Sequence, residues 1–105
     1  MHTDMPPHDQ HALQTLIETT LRQGYAISVK DDENKWGEPL RDYADIIDRV
    51  AESEFDVLAL HRDGAHVGWL MLVYGNAPDE LIADYADTPA CQDLHDAWVA
   101  KMEAK

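Results

Sequence analysis

The clearest signal for the fold of this chain lies between Phe55 and Tyr74, in the stretch FDVLALHRDGAHVGWLMLVY. Two apolar runs, Phe55 to Arg62 and Ala65 to Tyr74, flank the dipeptide Asp63-Gly64. Asp-Gly is a preferred pair for the two-residue type I′ turn, whose backbone twist matches the twist of the strands that it joins. The sequence therefore predicts a β-hairpin.

A two-residue turn also sets the register of the hairpin, because it pairs Arg62 with Ala65. Each residue before Arg62 then pairs with the residue that lies equally far after Ala65. Side chains alternate between the two faces of a strand, so the register predicts which residues share a face. One predicted face carries Phe55, Val57, Leu70, Leu72 and Tyr74. The other predicted face carries Leu58, Leu60, Val67, Trp69 and Met71. Both faces are apolar, so we expect the hairpin to lie at the centre of a sheet that is covered on both sides.

Three helices are predicted, two before this hairpin and one after it. Apolar residues recur at helical spacing over 9–23, 42–53 and 89–103. Gly24 is a natural end for the first helix, and Thr88-Pro89 provides an N-cap and a first helical residue for the last one.

Further strands are predicted from shorter patterns. Alternation of apolar and polar residues predicts a half-buried strand over 25–30, and 35–39 is predicted to add an edge strand that Pro39 keeps short. Residues 80–86 are predicted to return as a short strand, with a helical turn beginning at Leu81-Ile82 as the alternative.

The elements follow one another in the order α-β-(β)-α-β-β-β-α. This order predicts an α+β fold in which an antiparallel sheet of three to five strands packs with three helices. A chain of 105 residues has room for one domain, which we place at 9–105. We expect 1–8, which contain Pro6-Pro7 and no periodic pattern, to be a flexible leader.

The charge of the chain argues against two classes of partner. Lys and Arg number 8 against 21 Asp and Glu, which makes the formal net charge −13. Lys and Arg hold nucleic-acid backbones and anionic membrane surfaces, so we expect no direct binding to either. Hydrophobic residues make up 45% of the chain, which predicts a folded core.

Cysteine usage and the lack of targeting segments indicate a cytoplasmic protein. Cys91 is the only cysteine, which excludes an internal disulfide and fits a reducing compartment. The first residues carry neither the basic nor the apolar region of a secretory signal. The apolar run from Trp69 to Tyr74 is much too short to cross a bilayer.

One part of the sequence resembles a group of bacterial proteins. The residues that carry the likeness are Val67-Gly68-Trp69, Tyr74-Gly75-Asn76 and Pro78-Asp79-Glu80-Leu81-Ile82-Ala83-Asp84-Tyr85. This pattern is similar to that of small acidic orphan proteins of plasmids and prophages, and the likeness covers residues 55–90. The resemblance implies a mobile-element or accessory origin and assigns no functional residue.

Cys91 and His95 are candidates for the centre of a thiol-dependent enzyme, because they lie four residues apart near the start of the last predicted helix. A helix N-terminus and a neighbouring imidazole both favour the reactive thiolate. Cys91 also shares an apolar stripe with Leu94, Trp98 and Met102, where a small buried residue is expected. We favour packing, since no glycine-rich oxyanion element flanks the pair.

His61 and His66 are candidates for metal ligands, since they face each other across the predicted hairpin. Three more histidines lie in or beside the leader: His2, His8 and His11. Zinc sites use three or four ligands at characteristic spacings that this sequence lacks, so we interpret the facing pair as solvated. Residues 31–34 lack the central glycine and alternating oxygens of an EF-hand loop. No cofactor is predicted.

The second predicted helix has an acidic side opposite its apolar one. The acidic residues are Asp42, Asp45, Asp48 and Glu52. An ordered row of carboxylates can imitate a phosphate backbone, which makes these residues a candidate interaction surface for a basic protein. We favour the simpler interpretation that the acidic side is solvated and keeps the protein soluble.

These observations predict a non-enzymatic cytoplasmic protein that acts through protein–protein contacts and is of accessory or mobile-element type. One alternative is a DNA-mimic inhibitor of a nucleic-acid-binding defence protein, acting through Asp42, Asp45, Asp48 and Glu52. A second alternative is a small thiol- or metal-dependent enzyme that uses Cys91 and the histidines. Sequence motifs for nucleotide binding, serine hydrolysis or zinc proteolysis are absent.

Overall fold

Three helices and four strands make up the part of the chain that the computed structural model describes, namely residues 7–30, 35–50, 55–74 and 81–103. In chain order they are α1 (Pro7–Arg22), β1 (Ala26–Val29), α2 (Tyr43–Arg49), β2 (Phe55–Arg62), β3 (Ala65–Val73), β4 (Ile82–Tyr85) and α3 (Pro89–Glu103). The strands form one antiparallel sheet in the order β1-β2-β3-β4. The α+β fold and the central place of the hairpin are confirmed.

Helix α1 packs its apolar stripe into the core and ends where a glycine allows it. Leu13, Leu16 and Ile17 are fully buried. The helix begins two residues before its predicted start, and residues 1–6 lie outside the described part of the chain. Gly24 has a φ of +91°, which suits the left-handed residue after a helix. The amides of Gly24 and Tyr25 then donate to the last carbonyls of the helix, at Leu21 and Thr20.

Helix α2 is shorter than the predicted 42–53. Asp42 is its N-cap, and the carboxylate accepts hydrogen bonds from the amides of Ala44 at 2.9 Å and Asp45 at 3.4 Å. The helix ends at Arg49 because Val50 takes an extended conformation, with φ −91° and ψ 161°. In this conformation the Val50 side chain is fully buried in the core. The remainder of the predicted helix, 51–54, lies outside the described residues.

The hairpin has the predicted turn but a different register beyond it. Asp63 and Gly64 have φ values of 54° and 81°, as a type I′ turn requires. His61 pairs with His66 as expected, but Leu60 pairs with Gly68, so Val67 is an extra residue in β3. Such a β-bulge shifts every later pair by one residue.

The bulge overturns the predicted division of the hairpin into two faces. The core face of β2 and β3 carries Leu58, Leu60, Leu70 and Leu72, all of which pack with the helices in one core. The opposite side, which we call the outer face, carries Phe55, Val57, Ala59, His61, His66, Trp69, Met71 and Val73. The prediction mixed the two sets because it assumed a regular register. The helices cover only one of the two sides that we expected to be covered, because all three contribute to the same core.

The segment that follows β1 protects the edge of the sheet. The backbone groups of Ile27 and Leu40 exchange two hydrogen bonds of 2.8 Å, and the Gly37 amide donates to the Val29 carbonyl at 3.0 Å. Residues 35–40 thus make isolated bridges rather than the predicted edge strand, in keeping with Pro39, which has no amide to donate. All four residues of β1 are buried, whereas the alternation predicted a half-buried strand.

The C-terminal part of the fold follows the sequence closely. Residues Ile82–Tyr85 are a strand, which decides against the alternative helical turn. Helix α3 spans the predicted residues, and the Thr88 hydroxyl accepts from the Cys91 amide at 3.3 Å as an N-cap. The buried Trp98 donates its indole N–H to the Ala12 carbonyl at 3.1 Å and so joins α3 to α1. Within the described residues, no helix has the length and apolar character to span a membrane.

Candidate binding site on the outer face of the sheet

The outer face carries an open pocket of about 500 Å³ beside β1. Its walls come from β1, β2, β3 and the segment 35–40. The lining residues are Ser28, Lys30, Trp36, Gly37, Pro39, Val57, Ala59, His61, His66 and Trp69. We call this concavity the Trp36 pocket. Its volume lies within the range of roughly 300–1,000 Å³ that small-molecule sites occupy.

Trp36 reaches the pocket because the chain turns back along β1. A backbone bridge joins Lys30 and Trp36, and the Lys30 ammonium lies 5.3 Å from the centre of the indole ring. At that distance a cation is attracted to the face of the ring. The Trp36 side chain is nevertheless 47% exposed, which is unusual for so large an apolar group. Both the indole and the ammonium are therefore accessible from the pocket.

The two histidines lie at the hairpin end of the pocket. Their ring centres are 5.6 Å apart, which confirms that His61 and His66 face each other. His61 Nε2 and the Ser28 hydroxyl form a hydrogen bond of 3.0 Å. Burial lowers the pKa of His61 below its ordinary value, and the charge of His66 lowers it further. The hydrogen bond to Ser28 thus orients the His61 imidazole.

The lining of the pocket differs in charge from the chain as a whole. Lys30 and the two histidines line it, and none of the lining residues found in the described part of the chain is acidic. Glu38 is exposed and lies between two lining residues in sequence without lining the pocket itself. Residues 31–34, three of them acidic, lie outside the described residues.

Apolar side chains continue from the pocket along the outer face. Phe55 is 52% exposed, and Met71 and Val73 are half-buried. Trp36 and Phe55 thus give the outer face two exposed aromatic side chains. Exposed apolar patches are typical of surfaces that bind a protein partner or a ligand.

Cys91 lies on the opposite side of the sheet, in the core. Its side chain is fully buried, and its thiol donates to the Trp69 carbonyl at 3.5 Å. A Cβ placed on Gly68 would lie 2.2 Å from the Cys91 sulfur, so the glycine makes room for the thiol. His95, the proposed partner of Cys91, stacks on Tyr85 with ring centres 4.9 Å apart. These contacts are those of a packed side chain, as the favoured interpretation predicted.

Among the other histidines, His11 contacts a residue of its own helix. His11 is exposed, and its Nε2 lies 3.5 Å from the Thr15 hydroxyl. His2 lies outside the described residues, as does the side chain of His8. Over 7–30, 35–50, 55–74 and 81–103, no three His, Cys, Asp or Glu side chains come together as a metal site would require.

The structure describes three of the four residues of the acidic surface predicted on α2. Asp45 and Asp48 are exposed on the helix. Asp42 is exposed too, but its carboxylate is engaged as the N-cap of α2. Glu52 lies outside the described residues. Helix α2 ends at Arg49, so within the described residues it carries Asp45 and Asp48 of this surface and is capped by Asp42.

Comparison with known proteins adds no assignment to this geometry. No protein-family model, curated protein or solved structure significantly matches the chain. The sequence did not predict the Trp36 pocket, because the residues that line it come from segments that are far apart along the chain. One signal was present, namely a tryptophan within the otherwise polar stretch 30–38.

Proposed function

We propose that this chain is a non-enzymatic, cytoplasmic accessory protein that acts through contact with a protein partner, and that the outer face of the sheet is its contact surface. The observation that carries this proposal is an apolar sheet face with two exposed aromatic side chains, Trp36 and Phe55, and no helix over it in the described structure. Aromatic residues are enriched at the centres of protein interfaces. The resemblance to small acidic plasmid and prophage proteins supports the accessory role.

Charge complementarity indicates the chemistry of the partner. Among the described residues, the charged and titratable groups that line the Trp36 pocket are Lys30, His61 and His66. A partner that matches them presents apolar side chains next to one or more carboxylates. Such a partner would approach this face with less repulsion than it would meet at the acidic parts of a chain with a net charge of −13.

A second candidate function uses a different surface. Asp45 and Asp48 are exposed on α2, and an acidic surface of this kind is what a DNA-mimic inhibitor presents to a basic, nucleic-acid-binding protein. This hypothesis predicts binding that weakens steeply as salt is added, because exposed charges are screened.

Two matched variants separate these functions. In Trp36→Ser/Phe55→Ser the exposed aromatic groups are removed, and in Asp45→Asn/Asp48→Asn the exposed charges are removed. A stoichiometric partner isolated from the host with the parent chain should be lost by the first variant and retained by the second. Retention by the first variant and loss by the second would instead support the DNA-mimic function. A partner retained by both variants, each shown to be folded by circular dichroism, would overturn both proposals.

A further inference from the structure

The Trp36 pocket has features of a small-molecule site that go beyond a flat contact surface. Its volume of about 500 Å³ exceeds what one protein side chain fills. Its floor is apolar and is formed by Val57 and Ala59. Its walls include two large aromatic groups, Trp36 from the segment after β1 and Trp69 from β3. Aromatic walls on an apolar floor favour a planar ring system, which stacks on indole with little loss of conformational freedom.

The polar groups of the pocket favour a ligand with a negative charge. The Lys30 ammonium is a donor without acceptor capacity, and the neutral imidazoles of His61 and His66 each have one N–H donor and one acceptor nitrogen. Among the described residues, the lining offers no carboxylate that would repel an anion or bind a cation. A carboxylate next to Lys30 would form a charge-assisted hydrogen bond, which is stronger than a neutral one.

We propose that the Trp36 pocket binds a small planar aromatic molecule with a single negative charge, its ring against Trp36 and Trp69 and its anionic group at Lys30 and His61. This inference goes beyond the proposed function and does not rest on it, since the pocket is filled by a ligand of its own. If a protein partner also covers the outer face, the ligand would either compete with it for the pocket or contribute contacts to the partner from within the pocket.

The three tryptophans of the chain allow a direct test by NMR. Trp36 and Trp69 line the pocket, whereas Trp98 is fully buried and bonded to Ala12, so its indole N–H is an internal control. The probe is 2-naphthoate, with the neutral 2-naphthamide and the non-aromatic octanoate as matched comparisons. We expect 2-naphthoate to shift the indole signals of Trp36 and Trp69 but not that of Trp98. Its affinity should exceed that of either comparison compound by about tenfold, as the loss of one charge-assisted or stacking contact implies.

Variants assign the contacts to the pocket. Lys30→Met keeps the length of the side chain and removes its charge, so it should lower the affinity for 2-naphthoate to that for 2-naphthamide. Lys101→Met removes an exposed charge on α3 and should leave both affinities unchanged. Trp36→Leu should weaken both compounds, and each variant is checked for folding by the unchanged Trp98 signal.

Three results would overturn the proposal. The first is no shift of the Trp36 and Trp69 signals at millimolar 2-naphthoate. The second is equal affinity for 2-naphthoate and 2-naphthamide, which would show that the negative charge is not recognised. The third is an unchanged affinity in Lys30→Met. None of these results depends on whether a protein partner binds the outer face.

Discussion

The two faces of the β2–β3 hairpin are built from the same strands and differ in what covers them. The core face is formed by Leu58, Leu60, Leu70 and Leu72, each with 1% of its surface exposed or less. On the outer face, the neighbouring residues Val57, Trp69 and Met71 are apolar as well but remain half-buried. A single step along β3, from Leu70 to Met71, therefore takes an apolar side chain from the buried core to a half-buried position on the outer face.

This difference shows that apolar character alone does not explain why the helices cover one face of the hairpin and not the other. Both faces would gain free energy from burial, at about 25 cal/mol for each Å² of apolar surface removed from water. The helices pack on the face where branched aliphatic residues and Gly68 allow close approach. The outer face carries the aromatic and titratable side chains of Phe55, Trp69, His61 and His66.

The largest effect is expected from truncating neighbouring residues on opposite faces. Leu70→Ala leaves a cavity in the core and should lower the free energy of unfolding by about 2–5 kcal/mol. Met71→Ala, on the outer face, should lower it by less than about 1 kcal/mol, since the side chain already contacts water. Urea unfolding followed by circular dichroism measures both. An equally large cost for Met71→Ala would show that the outer face is covered in solution.

The next effect tests the close approach of α3 to β3. In Gly68→Ala the new methyl group would meet the Cys91 sulfur, and overpacking of this kind costs about 1–3 kcal/mol of stability. Cys91→Ala alone should cost about 1 kcal/mol as a small buried truncation. The double variant should be more stable than the sum of the two losses predicts, because removing the sulfur frees the space. Additive losses in the same unfolding experiment would contradict this account of Gly68.

A smaller effect is expected at the start of α2, which helps to cover the core face. Asp42→Ala removes the N-cap and should destabilise the protein by about 1 kcal/mol. Asp48→Ala is the matched control, since it removes an exposed carboxylate from the same helix and should change stability by no more than about 0.5 kcal/mol. Thermal unfolding of both variants measures the difference, and equal stabilities would argue against a capping role.

The smallest effect concerns pH and the outer face. The pKa of His61 is lowered in the folded chain, first by burial and then by His66, so the unfolded chain takes up this proton at a higher pH. Stability should therefore fall as the pH drops from the ordinary value of 6.5 towards the lowered pKa of His61. His61→Gln, which keeps a hydrogen-bonding group near Ser28, should lose this part of the decline.

Melting temperatures measured between about pH 7.5 and pH 5.5 test this prediction, above the range in which most carboxylates titrate. Among the described residues that line the pocket with His61, the other titratable groups are His66 and Lys30. His66→Gln removes the second cause of the lowered His61 pKa, so the melting temperature of this variant should fall less than that of the parent as the pH drops. Parent and His61→Gln curves that run parallel over this range would show that His61 does not contribute.

Local chemistry explains why much of the fold could be predicted. Asp63-Gly64 adopts the predicted type I′ turn because both residues tolerate positive φ. Gly24 and Thr88 end and begin helices as predicted, since each satisfies backbone groups within a few residues of itself. The burial of Cys91 followed from its place on the apolar stripe of α3.

Local patterns in the sequence were thus sufficient for the order of the three helices and four strands and for the antiparallel α+β class, because turns, caps and periodic patterns act over a few residues. The bulge at Val67, the early end of α2 and the choice of the covered face were not predicted and are seen only in the folded chain. Each of these depends on contacts between segments far apart in the chain. The Trp36 pocket is of the same kind, since Trp36 and Trp69 line one pocket only because residues 35–40 fold back along β1.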